Sequence, residues 1–267
     1  MSNILNEIVD KKRSIVANRK SLYPVSLLEK SVFFESPCVS LVDYLLRADK
    51  SGIIAEIKRK SPSKGVINAH VSVEKLSIGY MQAGASALSV LTDFDFFGGK
   101  NDDLITARKF NYCPILRKDF IIDEYQIFEA KSIGADAILL IAAILSIEEM
   151  KQFSDLAHEL GMQVLTEVHN KEEWEMVESV NTDLLGVNNR NLKTFEVDLK
   201  VSKELSKLSH GARALVSESG ISSPQDIIDL KTYGYKGFLM GQSFMEKAQP
   251  EVACKKFIDS LRKIEAN

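Results

Sequence analysis

Cysteine and histidine are scarce in this chain of 267 residues, and their placement argues against two kinds of chemistry. The three cysteines, Cys38, Cys113 and Cys254, are odd in number and far apart, so they fit neither a disulfide framework nor a paired metal motif. The four histidines are scattered and lack the spacing of common metal ligands. We therefore expect reduced thiols and no structural metal.

Long apolar runs and an excess of one charge are missing as well. The longest apolar run, Ala137 to Leu145, is about half as long as a membrane span requires, and charged residues stand near the N-terminus where a signal peptide would be apolar. The formal net charge of -3 reflects 34 basic and 37 acidic side chains, which argues against binding to nucleic acid or to an anionic membrane. We expect a cytoplasmic protein in which any anion site is local.

The segment from Ile53 to Gly65 combines a strand-like apolar run with an acid, several bases and hydroxyls. Strand alternation places Glu56 and Lys58 on the same face as Ile54. Burying a carboxylate and an ammonium is costly unless they are used, and the following Ser61-Pro62-Ser63-Lys64-Gly65 is suited to hold an anion. The alternative is an edge strand that runs into a solvated basic loop.

From about residue 53 onward, β-rich runs alternate with amphipathic helical stretches, which indicates repeated βα units. The predicted strands are Ile53–Lys58, Ala87–Leu91, Pro114–Lys118, Ala137–Ile141, Gln163–Glu167, Leu184–Asn188, Ala214–Ser217 and Gly237–Met240. The predicted helices cover residues 73–83, 101–110, 123–133, 146–160, 171–179, 198–208, 223–233 and 251–264. Their start and end signals are Ser72, Ser146-x-x-Glu149, Gly84, Gly134, Gly161 and Gly234. Eight such units predict a closed (β/α)8 TIM barrel with an N-terminal helical extension.

The first 50 residues do not follow this rhythm. Two helical patterns, around residues 3–19 and 39–48, are joined by a segment that contains Pro24, and we interpret residues 1–50 as a helical extension packed on a barrel of residues 51–267. An open doubly wound sheet is the alternative fold, but no strand is followed by Gly-x-Gly-x-x-Gly, and polar residues end many strands. Because the chain ends soon after the eighth unit, we expect no fused second catalytic domain.

Polar side chains stand at the predicted C-terminal ends of six strands, where barrels of this type have their active sites. They are Glu56 and Lys58, Lys118-Asp119-Phe120, Glu167, Asn188-Asn189-Arg190, Ser217-Glu218-Ser219-Gly220 and Gly241-Gln242-Ser243. Taken singly, each charged residue could belong to a surface ion pair. Together, we expect them to converge on one pocket, to shift one another's pKa values and to supply proton donors and acceptors.

The turns after strands seven and eight are predicted to bind phosphate. In this fold those loops present backbone N–H groups to phosphate, and Gly220 and Gly241 would let the backbone approach closely. Glycines that only end the strands are the alternative. After strand two, Phe96-Phe97-Gly98-Gly99 could pack in the core or flank an aromatic substrate.

Several motifs are specific in combination and span the whole chain. They are Ile4-Leu5-Asn6-Glu7-Ile8-Val9, Glu56-x-Lys58-x-x-Ser61-Pro62-Ser63-Lys64-Gly65, Leu116-Arg117-Lys118-Asp119-Phe120, Leu165-Thr166-Glu167-Val168, Gly186-Val187-Asn188-Asn189-Arg190-Asn191-Leu192 and Ser217-Glu218-Ser219-Gly220-Ile221. This set resembles the indole-3-glycerol-phosphate synthase family. The resemblance implies a carbon–carbon lyase of tryptophan biosynthesis that decarboxylates, dehydrates and cyclises 1-(2-carboxyphenylamino)-1-deoxyribulose 5-phosphate to indole-3-glycerol phosphate, without metal or organic cofactor.

The resemblance also implies roles for individual residues. Lys118 would protonate the substrate carbonyl while the anthranilate ring attacks it, and Lys58 is near enough to share or take that role. Glu56 and Glu167 would manage the positive charge on the substrate nitrogen and the proton transfers of the dehydration, while Asn188 would bind an intermediate hydroxyl.

Substrate contacts follow from the same resemblance. They are Ser61 and Arg190 for the anthranilate carboxylate that leaves as carbon dioxide, Phe97 and Phe120 for the aromatic pocket, Ser219, Gly220, Gly241 and Gln242 for the phosphate, and Leu239 as a further contact. Gln242 departs from the small or acidic residue expected of the family at this position. The departure affects the expected contact of its side chain with the phosphate, but not that of its backbone N–H.

Two other functions stay open from the residues alone. A phosphate-binding barrel could use Lys118 to form a Schiff base with a sugar-phosphate carbonyl, as an aldolase would. The second is a non-catalytic barrel retained as a binding or scaffold protein, although the intact set of acids and bases speaks against it. For the oligomeric state we expect a monomer, with a weak homodimer or a non-covalent pathway partner as alternatives.

Overall fold

Eight parallel strands form a closed barrel in the computed structural model, which describes residues 4–211 and 213–266. The strands are β1 (Ile53–Ile57), β2 (Ala87–Leu91), β3 (Ile115–Lys118), β4 (Ala137–Ile141), β5 (Gln163–Val168), β6 (Leu184–Asn188), β7 (Ala214–Glu218) and β8 (Tyr235–Met240). Neighbours in the chain are neighbours in the sheet, and β8 pairs with β1 to close the ring. The predicted barrel is confirmed, and the open-sheet alternative is wrong.

Helices precede the first strand and follow each strand of the barrel. In the described residues they are α1 (Ile4–Leu22), α2 (Val25–Leu28), α3 (Leu41–Leu46), α4 (Val73–Ala83), α5 (Phe94–Phe97), α6 (Asn101–Phe110), α7 (Tyr125–Ser132), α8 (Ile147–Glu159), α9 (Lys171–Met176), α10 (Lys200–Leu205), α11 (Pro224–Thr232), α12 (Gln242–Met245) and α13 (Pro250–Glu265). Among these, none is long and apolar enough to cross a membrane.

The predicted helix signals are present in the structure. The side chain of Ser72 accepts a hydrogen bond from the N–H of Lys75 at the start of α4, and Ser146 and Glu149 form a reciprocal capping box at the start of α8. The four glycines predicted to follow helices have φ between 76° and 102°, which a residue without a Cβ adopts most readily.

Some predicted bounds differ from the structure. Residues 171–179 and 198–208, predicted as single helices, each end in a 3-10 turn, Val177–Ser179 and Ser206–Leu208. The sequence pattern also misses α2, α5, α12 and a hairpin of two-residue strands, Lys60–Ser61 and Gly65–Val66, because such short elements are too small to show a periodicity.

The strands are buried on both faces, as their continuous apolar runs predict. Ile53, Ala55 and Ile57 face outward into the apolar shell beneath the helices, whereas Ile54 faces the barrel interior. This alternation decides which side chains of each strand can reach the centre.

Interior side chains form layers that come from alternate strands. An apolar layer on β1, β3, β5 and β7 consists of Ile54, Leu116, Leu165 and Val216. Two residues further along the same strands stand Glu56, Lys118, Glu167 and Glu218. Since side chains two residues apart share a face, the C-terminal end of the barrel holds a layer of four ionisable groups above an apolar floor. We call these four residues the charged layer.

The N-terminal segment packs against both ends of the barrel. Leu5 and Ile8 of α1 join the interior apolar cluster and line the cavity at the C-terminal ends of the strands. At the opposite end, the N–H groups of Leu41 and Val42 in α3 donate to the side-chain oxygen of Gln163, at the start of β5. The extension therefore forms one wall of the cavity and also a plug at the other end.

Candidate active site

A cavity of about 520 Å³ opens at the C-terminal ends of the strands. The residues predicted to act in catalysis or in substrate binding all line it, namely Glu56, Lys58, Ser61, Phe97, Lys118, Phe120, Glu167, Asn188, Arg190, Ser219, Gly220, Leu239, Gly241 and Gln242. The structure thus brings residues from seven strand ends to one place.

Lys118 is the centre of the charged layer. Its Nζ donates to Oε2 of Glu167 at 2.8 Å and to Oε2 of Glu218 at 3.0 Å. Burial alone would lower the pKa of Lys118, but Glu167, Glu218 and Glu56 outweigh burial and raise the pKa well above its ordinary value. Lys118 is therefore an ammonium throughout the physiological pH range.

The two carboxyl groups beside Lys118 hold protons differently. Burial raises the pKa of Glu218 to about 8, with Lys118 opposing and Glu167 adding to the shift. Burial would also raise the pKa of Glu167, but Lys118 and His169 outweigh it and hold the pKa well below its ordinary value. Near neutral pH the cluster therefore combines an ammonium, a carboxylate and a carboxylic acid, which can donate and accept protons.

Two glycines make room for the carboxyl groups of the charged layer. A Cβ at Gly186 on β6 would collide with Oε1 of Glu218, and a Cβ at Gly241 would lie 2.6 Å from Oε1 of Glu56. Any larger residue at either position would therefore force a carboxyl group to move.

A second acid–base pair lies on the β1 side of the cavity. Nζ of Lys58 is 2.7 Å from Oε1 of Glu56, and both side chains are shielded from solvent. Asn188 accepts a hydrogen bond from the N–H of Arg190 at 3.0 Å, and the Arg190 guanidinium donates to the side-chain oxygen of Gln242 at 3.4 Å. The cations of Lys58 and Arg190 thus border the cavity, where they can receive an anionic group.

Phe97 and Phe120 form an aromatic wall. Their ring centroids are 5.9 Å apart and their planes are inclined by 35°. Phe97 ends α5, whose start is fixed by Asp93, because the carboxylate of Asp93 accepts the N–H of Phe96 at 2.8 Å. A planar ring could pack against this wall in an offset or tilted arrangement.

The loops after β7 and β8 meet on another side of the cavity. Ser219 and Gly220 both have positive φ, 66° and 86°, a backbone conformation that is uncommon for serine. α12 begins at Gln242, and the first turn of a helix carries N–H groups that have no partner within the helix. The Gln242 side chain donates to Glu246 at 2.8 Å and accepts from Arg190, so both ends of its amide have a partner.

Two residues predicted to converge on the pocket lie elsewhere. The side chain of Asn189 is buried and donates to Oγ of Ser217 and to the carbonyl groups of Glu218 and Ser219. Oγ of Ser217 also bonds to Ser202 of α10, outside the barrel wall. The prediction is wrong for Ser217 and Asn189 because successive strand residues point to opposite faces, so neighbours of an inward residue point outward.

Sequence reasoning gives Glu218 no role of its own, although its carboxyl group contacts Lys118. A constant spacing in the sequence, between an apolar residue and a carboxylate on the same strand, identifies Glu218. Glu218 follows the apolar Val216 by two residues, just as Glu56 follows Ile54 on β1. On both strands this places the carboxyl group one layer above the apolar floor.

Comparison with known proteins gives a match over almost the whole chain. Residues 5–257 match the family described as "Indole-3-glycerol phosphate synthase". A protein of that name from Bacteroides thetaiotaomicron is 45% identical over 262 residues, covering 98% of this chain and 100% of the relative. Another, from Acinetobacter baylyi, is 45% identical over 253 residues, covering 94% of each chain.

Among solved structures, the tryptophan synthase subunit alpha from Legionella pneumophila is similar with a TM-score of 0.61. The likeness covers 85% of this chain and 98% of that chain, at 17% sequence identity. At this low identity it shows the barrel fold alone.

Fold and cavity together define the class as a (β/α)8-barrel enzyme with a buried acid–base cluster at the C-terminal ends of its strands. The sequence match then gives the particular family: the chain belongs to the indole-3-glycerol phosphate synthase family. The predicted resemblance is confirmed, and with it the carbon–carbon lyase activity that closes the indole ring in tryptophan biosynthesis, on a phosphorylated small molecule.

Proposed function

We propose that the chain closes the indole ring of 1-(2-carboxyphenylamino)-1-deoxyribulose 5-phosphate in this cavity, with Lys118 as the general acid. The observation that carries the assignment is the ammonium of Lys118, held between Glu167 and Glu218 in the charged layer. Such a group can protonate the carbonyl oxygen of the substrate while the ring carbon that bears the carboxylate attacks the carbonyl carbon. Lys58, beyond the end of β1, supplies positive charge beside this oxygen rather than the proton.

Glu167 and Glu56 serve the steps that follow ring closure. The attack leaves a positive charge on the substrate nitrogen, which a preorganised carboxylate stabilises. Loss of carbon dioxide returns an electron pair to the ring and removes this charge. Dehydration then needs a base that takes a proton from the neighbouring carbon, for which the ionised Glu167 is suited.

The leaving hydroxyl needs a second proton. Glu218, protonated near neutral pH and hydrogen-bonded to Lys118, can return a proton to Lys118 after the first transfer. Asn188 lines the same part of the cavity and would hold the hydroxyl by a hydrogen bond. In this scheme one lysine protonates the oxygen twice, first as a carbonyl and then as a leaving hydroxyl.

Substrate binding is assigned to the walls of the cavity. Arg190 and Ser61 hold the carboxylate of the anthranilate group, and Phe97 and Phe120 pack on its ring with Leu239 as a further apolar contact. Ser219, Gly220, Gly241 and Gln242 receive the phosphate, chiefly through backbone N–H groups at the start of α12 and in the preceding loop.

An aldolase-like Schiff base at Lys118 is disfavoured by the same electrostatics. A lysine attacks a carbonyl only as the neutral amine, and the three carboxyl groups around Lys118 keep it protonated. Borohydride added during turnover therefore should trap no adduct on Lys118. A stable reduced adduct there would favour the aldolase mechanism instead.

The activity is tested by indole fluorescence after 1-(2-carboxyphenylamino)-1-deoxyribulose 5-phosphate is added to the purified protein. We expect the signal to rise in proportion to enzyme concentration. A folded protein that binds inorganic phosphate but gives no fluorescence would contradict the proposed reaction.

The remaining part of the proposal is a cytoplasmic monomer. Sedimentation of the purified chain, whose mass is 29.8 kDa, should give one species of that mass at micromolar concentration. A species of twice the mass would support the homodimer instead.

A further inference from the structure

His169 lies just behind the charged layer and does not line the cavity. It is the first residue after β5, and its side chain is 11% exposed. The reaction as described above uses Glu167 but gives no role to the histidine beside it, so the contacts of this ring need an explanation.

The His169 ring is held between two carboxylates. Nε2 lies 3.3 Å from Oε1 of Glu167, an ion-pair contact that is not aligned as a hydrogen bond, and Nδ1 lies 3.0 Å from Oε2 of Glu173. The same Oε2 accepts the backbone N–H of His169 at 2.8 Å. Asn170, which caps α9, donates to the other oxygen of Glu173 at 2.8 Å. The ring is therefore fixed to the start of a helix rather than to a mobile loop.

This arrangement makes the two carboxyl groups beside Lys118 unequal. On one side of Glu167 lie Lys118 of β3 and Glu218 of β7. On its other side lies His169. Glu218 shares Lys118 with Glu167, and no cation besides Lys118 forms an ion pair with it among the described residues. A second cation at one carboxylate favours the ionised form there, so the proton of the cluster is directed to the other.

We propose that His169 is a positioning residue, which acts as an imidazolium to keep Glu167 ionised and its Oε2 directed at Lys118, while the proton resides on Glu218. The inference rests on the proposed role of Glu167 as a base. Its charge state has independent support: burial would lower the pKa of His169, but Glu167 and Glu173 outweigh burial and raise the pKa to about 10.

The chain offers a matched control. Nε2 of His158 lies 2.8 Å from Oδ2 of Asp183, a residue just before β6, at the end of the barrel remote from the cavity. His158→Gln thus removes a comparable histidine–carboxylate contact without touching the charged layer, whereas His169→Gln removes the cation beside Glu167.

The first readout is the pH profile of kcat/KM, whose acid limb reports the base of the free enzyme. In His169→Gln the pKa of Glu167 should rise because a neighbouring cation is lost, so the acid limb should move up by about one pH unit or more. KM should change little. His158→Gln should keep the limb of the unmodified protein, and a His169→Gln limb that coincides with it would overturn the proposal.

The second readout depends neither on turnover nor on a folded His169→Gln variant. Nitrogen-15 NMR of the unmodified protein should show the His169 ring doubly protonated from pH 6 to pH 9, with the signal assigned by elimination using variants of the other three histidines. A neutral ring at pH 8 would overturn the proposal.

A Glu167→Gln variant separates this inference from the reaction scheme. If Glu167→Gln were fully active, the role of Glu167 and the inference would fail together. If Glu167→Gln were inactive while His169→Gln behaved as the unmodified protein, only the inference would fail.

Discussion

At the scale of single residues, alternation along each strand decides which charges reach the cavity. Glu56, Lys118 and Glu167 could be predicted because each ends a strand-like run, and a polar residue there points to the mouth of a barrel. Ser217 and Asn189 have the same polarity and nearly the same positions, yet they face outward. The inward residues differ from Ser217 and Asn189 only in their spacing from the apolar interior residue of the same strand. The same spacing identifies Glu218 as an inward residue.

Glu218 leads to a prediction about stability and pH. The pKa of this carboxyl group is about 8 in the folded protein, whereas its ordinary value is 4.5. Between these two pH values the folded protein holds a proton that the unfolded chain has lost, so the free energy of unfolding falls as pH rises. Glu218→Gln resembles the protonated acid and removes this dependence. From pH 6 to pH 8 the variant should gain free energy of unfolding relative to the unmodified protein, by about 1 kcal/mol per pH unit.

Urea denaturation of both proteins at pH 6, 7 and 8 measures this difference. The neighbours of Glu218, Lys118 and Glu167, titrate outside this pH range, and the remaining titrating groups are common to both proteins. If the two stability curves ran parallel across this range, Glu218 would be ionised at neutral pH and the assignment of the proton would be wrong.

At the scale of elements, the eight βα units and a helical extension packed on them could be predicted because their periodicity is local, but the contacts that attach α1 to the barrel could not. Lys12 of α1 lies 2.7 Å from a carboxylate oxygen of Asp93 and 2.8 Å from one of Asp119, and all three side chains are buried. Asp93 caps the helix that carries Phe97, and Asp119 follows Lys118. No local pattern connects residues so far apart in the chain, so this contact is visible only in three dimensions.

The ion pairs of α1 predict unequal costs for two lysine substitutions. Lys12→Met leaves the buried carboxylate of Asp93 without its cation and leaves Asp119 with Arg117 alone, which should lower the free energy of unfolding by about 3 kcal/mol or more. Lys20→Met, on the same helix, removes an exposed pair with Asp123 and should cost less than about 1 kcal/mol. Chemical denaturation of both variants at neutral pH is the measurement, and equal losses would contradict the view that Lys12 anchors the helix.

At the scale of the whole molecule, the barrel acts as a frame that aims four ionisable groups from alternate strands at one point. The fold and the choice of cavity residues could be predicted from the sequence because both follow from repeated strand ends. The hydrogen bonds of Lys118 to Glu167 and Glu218 could not be predicted, because they depend on distances between strands that are far apart in the chain. This arrangement underlies the proposed role of Lys118 as the acid of ring closure.

The role of Lys118 is measured by the turnover of Lys118→Ala, with Lys60→Ala as the control because Lys60 lies near the mouth but binds the carbonyl oxygen of Asp95. With folding of both variants verified by circular dichroism, kcat of Lys118→Ala should fall by roughly 10² to 10⁴, the contribution typical of a general acid, while KM changes little. Lys60→Ala should keep the kcat of the unmodified protein. A folded Lys118→Ala variant whose kcat stays within about tenfold of the unmodified protein would contradict the account.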